Sequence, residues 1–449
     1  MGLPVAVDIL RSPSVASFLV KKTMMKTPPA PANDRLPLRW IIPAAAMLLA
    51  IAATPARAQY NLLHEFAGGD SDGAMPYYTT LTLSSSTLYG MTYNGGYNNN
   101  GTVFKINTDG SGFSLVHAFA ADNSEGRLPY GSVTLSGSTL YEMTYSGGAN
   151  SRGTAFKVNT DGSGFGLLRV FSATATDGRY SHNSFTIDGA TLYGMTTSGG
   201  SDNDGNVFRM NTDGSGFNNL HEFAGAPGDG RRPNGDLLLV GSTLYGTTRF
   251  GGGDDYGTVF KVNTDGTGFS LLHEFDGTAS DGRDPYGALT LAGSTLYGMT
   301  YSGGANDMGA VFKMNTDGTG FIILHHFAGG DSDGRYPSGS LTLSGSTLYG
   351  LAYEGGTENN GILFQINSDG TGFTILHEFA GGTDDGSLPT GSLALYGSTL
   401  YGMTHAGGDS GKGVIFSYTI PEPSSGLLVL AGLAALSVRR LRTGGRNPR

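Results

Sequence analysis

Histidine recurs at one position of a repeating pattern, at His64, His117, His221, His273, His325 and His377, and Arg169 fills the same slot in another copy. Imidazole is a common metal ligand and proton carrier. A structural hydrogen bond between repeats is expected here instead, because the flanking positions are apolar and a buried polar group must be paired. Asp70-Ser71-Asp72-Gly73 and Asp331-Ser332-Asp333-Gly334 each set two carboxylates close together before glycine. Such hard oxygens suit calcium, so Asp70, Asp72, Asp331 and Asp333 are metal candidates, although neither run has the further acids of a full calcium loop. No other cofactor is expected. Asp-Gly-Arg-x-Pro segments begin at Asp229, Asp281 and Asp333, with a relative at Asp177. Their Arg179, Arg231, Arg283 and Arg335 form either a charged collar or part of a structural turn. In the turn, Asp accepts from backbone N–H groups and Arg pairs with the next repeat's Asp.

Catalysis needs asymmetry, and nearly every acid here is repeated. A glycosidase requires two carboxylates at a defined separation, and a lyase or hydrolase a unique base. No catalytic residue is assigned. The places where the pattern breaks carry the remaining interest: one copy reads Arg179-Tyr180-Ser181-His182-Asn183, and Glu142 stands where the other copies have Gly. Tyr180 and His182 can stack on or hydrogen-bond to a sugar. Together with Glu142, Arg179, Arg231, Arg283 and Arg335 they are the candidate binding residues.

The elements that position these groups follow from one period. Leu-Tyr occurs at Leu88, Leu140, Leu192, Leu244, Leu296, Leu348 and Leu400, each 52 residues after the last. Seventy-four glycines, abundant Tyr and Phe and 14% charged residues suit short strands and tight turns. Within one copy, strands are predicted over 288–291, 295–301, 310–315 and 321–327, with an Asp-Gly turn of the primed kind before the last. In the preceding copy, alternation predicts Phe269, Leu271, His273 and Phe275 on one face of the outer strand and Leu272 on the other. The fold class expected is all-β: a seven-bladed β-propeller of four-stranded antiparallel blades. The first strand, 60–66, precedes any complete copy, and the last copy stops near Tyr418. The N-terminal strand is therefore predicted to close the last blade and hide its edge.

The double Gly of Leu-Tyr-Gly-Met-Thr-Tyr-Ser-Gly-Gly, followed by a strand and an aromatic, resembles a kelch repeat. Phe113, Phe165, Phe217, Phe269, Phe321 and Phe373 stand where that family carries Trp. With Leu-His-Glu-Phe and Asn-Thr-Asp-Gly-Ser-Gly-Phe added, residues 60–418 closely resemble the GloVer-type choice-of-anchor tandem repeat of bacterial surface proteins. That resemblance implies an architecture and an address, and names no reaction.

Both ends look like addresses. Residues 41–53 are apolar, preceded by Arg35 and Arg39 and followed by Ala56-Arg57-Ala58, the layout of a secretory signal. The C-terminus runs from Pro421-Glu422-Pro423 through an apolar stretch to Arg439, Arg440 and Arg442, and resembles a PEP-CTERM sorting signal. The expected domains are a leader over 1–58, the propeller over 59–419 and the sorting signal over 420–449. The resemblance implies an exosortase-type processing enzyme, transient membrane anchoring and association with extracellular polysaccharide in a Gram-negative envelope. Cysteine is absent and the formal charge is -10, with the basic runs at the two ends. A nucleic-acid partner, which needs a basic patch, is not expected. The expected function is a monomeric, non-catalytic module that binds glycan or a surface protein. The alternative is a carbohydrate-active hydrolase or lyase.

Overall fold

The computed structural model describes residues 58–172, 177–225 and 227–421. The leader and the sorting signal therefore lie, but for Ala58, Ile420 and Pro421, outside the described residues. Within the described residues the protein is a seven-bladed β-propeller, with seven antiparallel sheets arranged in a ring.

The fifth blade shows the unit. Its second strand, Thr295–Gly303, pairs with the third, Ala310–Asn315, and that with the outer strand, Ile322–His326. The inner strand differs from expectation, being split into Gly282–Pro285 and Thr290–Ala292, which pair with opposite ends of the second strand. The Gly-Arg-x-Pro segment is thus strand rather than loop. Only the fourth blade has a continuous inner strand, Gly230–Val240, and it bulges between Asn234 and Leu238.

Two further readings need correction. In the fourth blade, Phe260 faces Leu271 while Val259 faces His273, so Leu272 is an extra, bulged residue. The bulge switches the side-chain phase of the outer strand. Phe269 and Leu271 consequently pack toward the third blade, and Leu272 and Phe275 toward the fifth. The same irregularity occurs in the outer strand of every blade. The hairpin before the outer strand is not a two-residue primed turn either. Gly318 has φ 92° and its N–H bonds Asn315 O, while Asp317 Oδ1 accepts from the N–H and hydroxyl of Thr319. The aspartate captures the amide two residues on, which widens the turn.

Closure follows the expected scheme. The first strand, Gln59–Glu65, pairs antiparallel with Val414–Thr419 and completes the seventh blade. Phe66 then packs with Leu81, Phe104, Met403 and Ile415 at the junction of the last and first blades. Equivalent phenylalanines, Phe119, Phe171, Phe223, Phe275, Phe327 and Phe379, are at most 1% exposed at the other six junctions. Aromatics of this size dominate the burial that holds neighbouring blades together.

Candidate functional site

The recurrent histidines are structural. His64 Nε2 lies 3.0 Å from Asp72, His273 3.1 Å from Asp281 and His377 3.0 Å from Asp385, and the same pair recurs at Glu125, Asp229 and Asp333. Each ring also stacks on the aromatic of the following outer strand, as His273 does on Phe321 at 3.8 Å. In the third copy Arg169 performs both roles, reaching Asp177 at 3.1 Å and lying 3.5 Å over Phe217. Tyr60 supplies the aromatic at the closure, 3.9 Å from His377.

The same carboxylates cap the turn. Asp72 accepts from the N–H groups of Ala67 and Gly73, and Asp333 from those of Ala328 and Gly334. Both oxygens of these metal candidates are therefore engaged within the protein, while Asp70 and Asp331 are exposed. Among the described residues no three His, Asp or Glu side chains converge as a metal site.

The arginines pair inside their own blades, not with the next one. Arg231 holds Asp255, Arg283 reaches Asp307 at 2.8 Å, Arg335 reaches Glu354 at 2.6 Å, and Arg179 bonds Asn203. Each pair ties the inner strand to its blade's second strand or the loop after it. Hydrogen bonding to Asp255 raises the Arg231 guanidinium above its ordinary value.

The residue between this Arg and the following Pro, or Ser181 in the third blade, takes a left-handed conformation. It is Leu128, Tyr180, Arg232, Asp284 and Tyr336, and in the first and seventh blades, where Ala74 and Ser387 stand in place of the Arg, it is Met75 and Leu388, with φ from 53° to 58°. Such φ is costly for a side-chain-bearing residue. Its N–H is fixed on a carbonyl of the preceding blade, as Tyr180 N–H is on Arg152 O at 3.1 Å. The turn thereby aims the next residues at the mouth of the central axis.

Those residues were the main omission of sequence reasoning. His182 stands in a series at 52-residue spacing with Tyr78, Tyr130, Asn234, Tyr286, Ser338 and Thr390. Tyr130 and His182 rings are 4.5 Å apart, Tyr286 and Tyr78 4.7 Å, and Tyr78 and Tyr130 6.2 Å. The Arg249 guanidinium lies 5.2 Å over Tyr286 and continues the circuit. A second series, Tyr93, Tyr145, Thr197, Arg249, Tyr301, Tyr353 and His405, surrounds the first. Tyr145 stacks with His182 at 5.0 Å and meets Tyr180 at 5.1 Å. The tyrosines, His182, His405, Thr197 and Arg249 are half-buried, whereas Asn234, Ser338 and Thr390 are buried. Burial, reinforced by Arg249, brings the His182 imidazolium down to about 4. Burial, followed by the Glu354 charge, pushes the Tyr301 phenol up to about 12.

Beneath the mouth the inner strands are stitched around the axis. Thr80 N–H donates to Ser132 Oγ at 2.7 Å, Ser132 N–H to Ser184 Oγ at 2.6 Å, and Ser184 N–H to Asp236 Oδ1 at 2.6 Å. The series resumes through Ala288, Ser340 and Ser392 and returns to Thr80. A cavity of about 30 Å³, room for about one water, is bounded by these groups and by Tyr78, Tyr130, His182 and Tyr286. Asp236 is the one acid of the series, and burial raises its carboxyl.

Glu142 is brought to this region but not to its surface. It is 0% exposed in the second strand of the second blade, where Val133 replaces the Leu of blades one and four to seven. One oxygen accepts from Met143 N–H at 2.9 Å, and the other has no partner. Burial holds its carboxyl well above the usual range, and Asp236 pushes it further the same way. Tyr180 and His182 thus belong to one constellation at the mouth. Arg231, Arg283 and Arg335 are committed to ion pairs around it.

No curated protein matches the sequence. Similarity to solved structures is distant. A chain of a nidogen/laminin complex is 14% identical, with TM-score 0.37, covering 59% of this chain and 84% of its own. A TolB candidate from Agrobacterium tumefaciens is 12% identical, with TM-score 0.39 and coverage of 69% and 95%. A 6-phosphogluconolactonase candidate from Bacteroides fragilis is 17% identical, with TM-score 0.47 and coverage of 72% and 88%. The sequence matches the Gloeobacter/Verrucomicrobia repeat over residues 50–249 and 228–416, and with most of its length so covered the chain belongs to that repeat family.

Proposed function

We propose that this propeller is an exported, non-catalytic glycan-binding module whose binding surface is the aromatic mouth of the ring. The observation that carries the reading is the circuit of half-buried rings and one guanidinium, Tyr78, Tyr130, His182, Arg249 and Tyr286, with Tyr145 and Tyr180 beside it. Aromatic faces meet the C–H face of a sugar, and hydroxyl, amide and guanidinium edges meet its oxygens. The unique carboxyl of Glu142 is sealed from solvent, which speaks against a general acid acting on an external chain.

The address rests on the leader and the PEP-CTERM-like end read from the sequence, and on the kelch-like pattern only for architecture. An exosortase-type enzyme would process the chain after transient membrane anchoring. Extracellular polysaccharide, rather than a surface protein, is the partner that the aromatic mouth favours. The test is affinity electrophoresis of the purified protein through gels containing the host's exopolysaccharide, with product analysis. Retardation that Tyr145→Ala weakens at least tenfold, with no change in the polymer, supports the reading. Unretarded migration overturns it, and released oligosaccharide points to a hydrolase or lyase.

A further inference from the structure

The axis has a second cavity, away from the mouth. Its first tier is Ser132, Ser184, Asp236, Ser340 and Ser392, and two residues further along the inner strands a second tier is Thr82, Thr134, Thr186 and Thr342. At the usual rise of a strand the tiers stand about 7 Å apart. The first tier also bounds the small cavity under the aromatic rings, so it forms the roof of this one. The lower cavity holds about 400 Å³, within the roughly 300–1,000 Å³ of small-molecule sites. It opens toward the turns that join inner and second strands, whose tips, such as Ser85–Ser86 and Gly345–Ser346, are exposed.

The two tiers offer opposite hydrogen-bonding capacity. Thr82 and Thr134 each donate to a carbonyl of the next blade at 2.5 Å and Thr342 does so at 2.6 Å, while Thr186 donates to Leu237 O. Their protons are spent, and what remains toward the cavity is lone pairs. Ser132, Ser340 and Ser392 instead accept a backbone N–H at 2.7, 2.9 and 2.7 Å, and among the described residues their hydroxyls donate to nothing. A tier of donors thus faces a tier of acceptors. Asp236 breaks the donor tier. It is half-buried, is held by Ser184 alone, and neither a Lys, an Arg nor a His lines the cavity.

We infer that this lower cavity is a second sugar site, which seats one amino-sugar unit with its ammonium group on Asp236. The site lies away from the aromatic mouth and does not depend on it. Sugar hydroxyls both donate and accept, so one ring can satisfy serines above and threonines below. A hydrated metal ion presents only donors, which the serine protons oppose. The carboxylate without a cationic partner selects the amine, because a charge-assisted hydrogen bond is about twice as strong as a neutral one. A uronate would bring a second negative charge against it.

Symmetry supplies the test. Asp236→Ser installs the residue of four other blades at that place, and Thr342→Leu installs the one that blade four carries as Leu238. Both should fold, with melting temperatures close to the parent's. Binding is read by nuclear magnetic resonance titration with glucosamine, galactosamine and mannosamine, their N-acetyl forms and glucuronate. At least one amine should bind the parent tenfold or more tighter than its N-acetyl form and than glucuronate. Asp236→Ser should reduce that preference to less than twofold, and Thr342→Leu, which narrows the cavity, should weaken the amine at least tenfold. Tyr145→Ala, at the mouth, should change it less than twofold. Equal affinity for amine and N-acetyl form, no binding of any amine, or a preference that survives Asp236→Ser overturns the site. So does amine binding lost with Tyr145→Ala, which would place it at the mouth. Magnesium or calcium chloride alone raising the melting temperature of the parent but not of Asp236→Ser would mean that the cavity holds a metal ion, and overturns it as well.

Discussion

A glutamate at a glycine position of a packed strand is the least expected residue in the molecule. Glu142 fits because Val133 gives up volume where five other blades have Leu, yet one carboxylate oxygen is left unpaired. Burial in such a site favours the neutral acid, so its folded pKa lies above the ordinary 4.5. The folded state then holds a proton that the unfolded state releases. Stability is fully present below about pH 4.5 and is lost as pH rises through the raised folded pKa. His182 acts in the opposite sense: its folded pKa, about 4, is below the ordinary 6.5, so stability falls as pH drops from 6.5 toward 4. Replacing Glu142→Gly together with Val133→Leu restores the common pair and leaves His182 and Asp236 in place. The double variant should gain about 1–3 kcal/mol at pH 8, with the gain shrinking toward pH 4. Urea titrations at the two pH values check this. An equal gain at both would mean that the carboxyl is not held neutral by the fold.

At the scale of elements the closing strand bears the largest consequence. Gln59–Glu65 covers the edge of Val414–Thr419, Tyr60 stacks on His377, and Phe66 fills the last junction. Deleting 59–66 removes one buried phenylalanine, worth about 3–5 kcal/mol by itself, and exposes a strand edge that invites association. Amides of 414–419 should lose their hydrogen-exchange protection while those of 258–263 keep it. Parent-like protection at 414–419 would count against the closure as a stabilising device. This splice was legible because a period of 52 starting on an outer strand leaves one strand short at the end. The bulge in every outer strand was not: Leu-Leu-His-Glu-Phe reads as plain alternation, and only its partner strand shows that Leu272 is the extra residue. Nor was the split inner strand, since nothing in the residue types gives Tyr180 or Asp284 a positive φ. At the site, Tyr180, His182 and Glu142 were visible as breaks in a pattern. Asp236, Thr197 and Arg249 are breaks of the same kind, hidden in segments read as strand rather than loop. The tyrosines of the mouth were hidden by the opposite cause, because repetition made them look like scaffold.

For the whole molecule, ring closure turns a local contact into a shared constraint. Around the axis, successive glycines approach backbone to backbone. A Cβ on Gly287 would lie 1.7 Å from Gly339 O, one on Gly339 2.0 Å from Gly391 O, and one on Gly391 2.2 Å from Thr79 O. Carbonyls held by neighbouring strands cannot swing aside as a flexible side chain can. In an open array a blade could shift outward to admit a methyl group. In a closed ring that shift must be distributed over the other six junctions, each already filled by a phenylalanine. Gly287 does not have a positive φ, so Gly287→Ala isolates this steric term. It should cost more than about 3 kcal/mol, the upper end of ordinary overpacking. Gly293→Ala is the control: φ is 61° and a Cβ there meets nothing within 4 Å, so only backbone strain of about 1–2 kcal/mol is expected. Denaturant midpoints of the two variants decide the matter. Similar costs would mean that the axis yields, and a yielding axis could not hold Tyr78 and Tyr286 in contact across the mouth, so glycan affinity should fall with Gly287→Ala and not with Gly293→Ala.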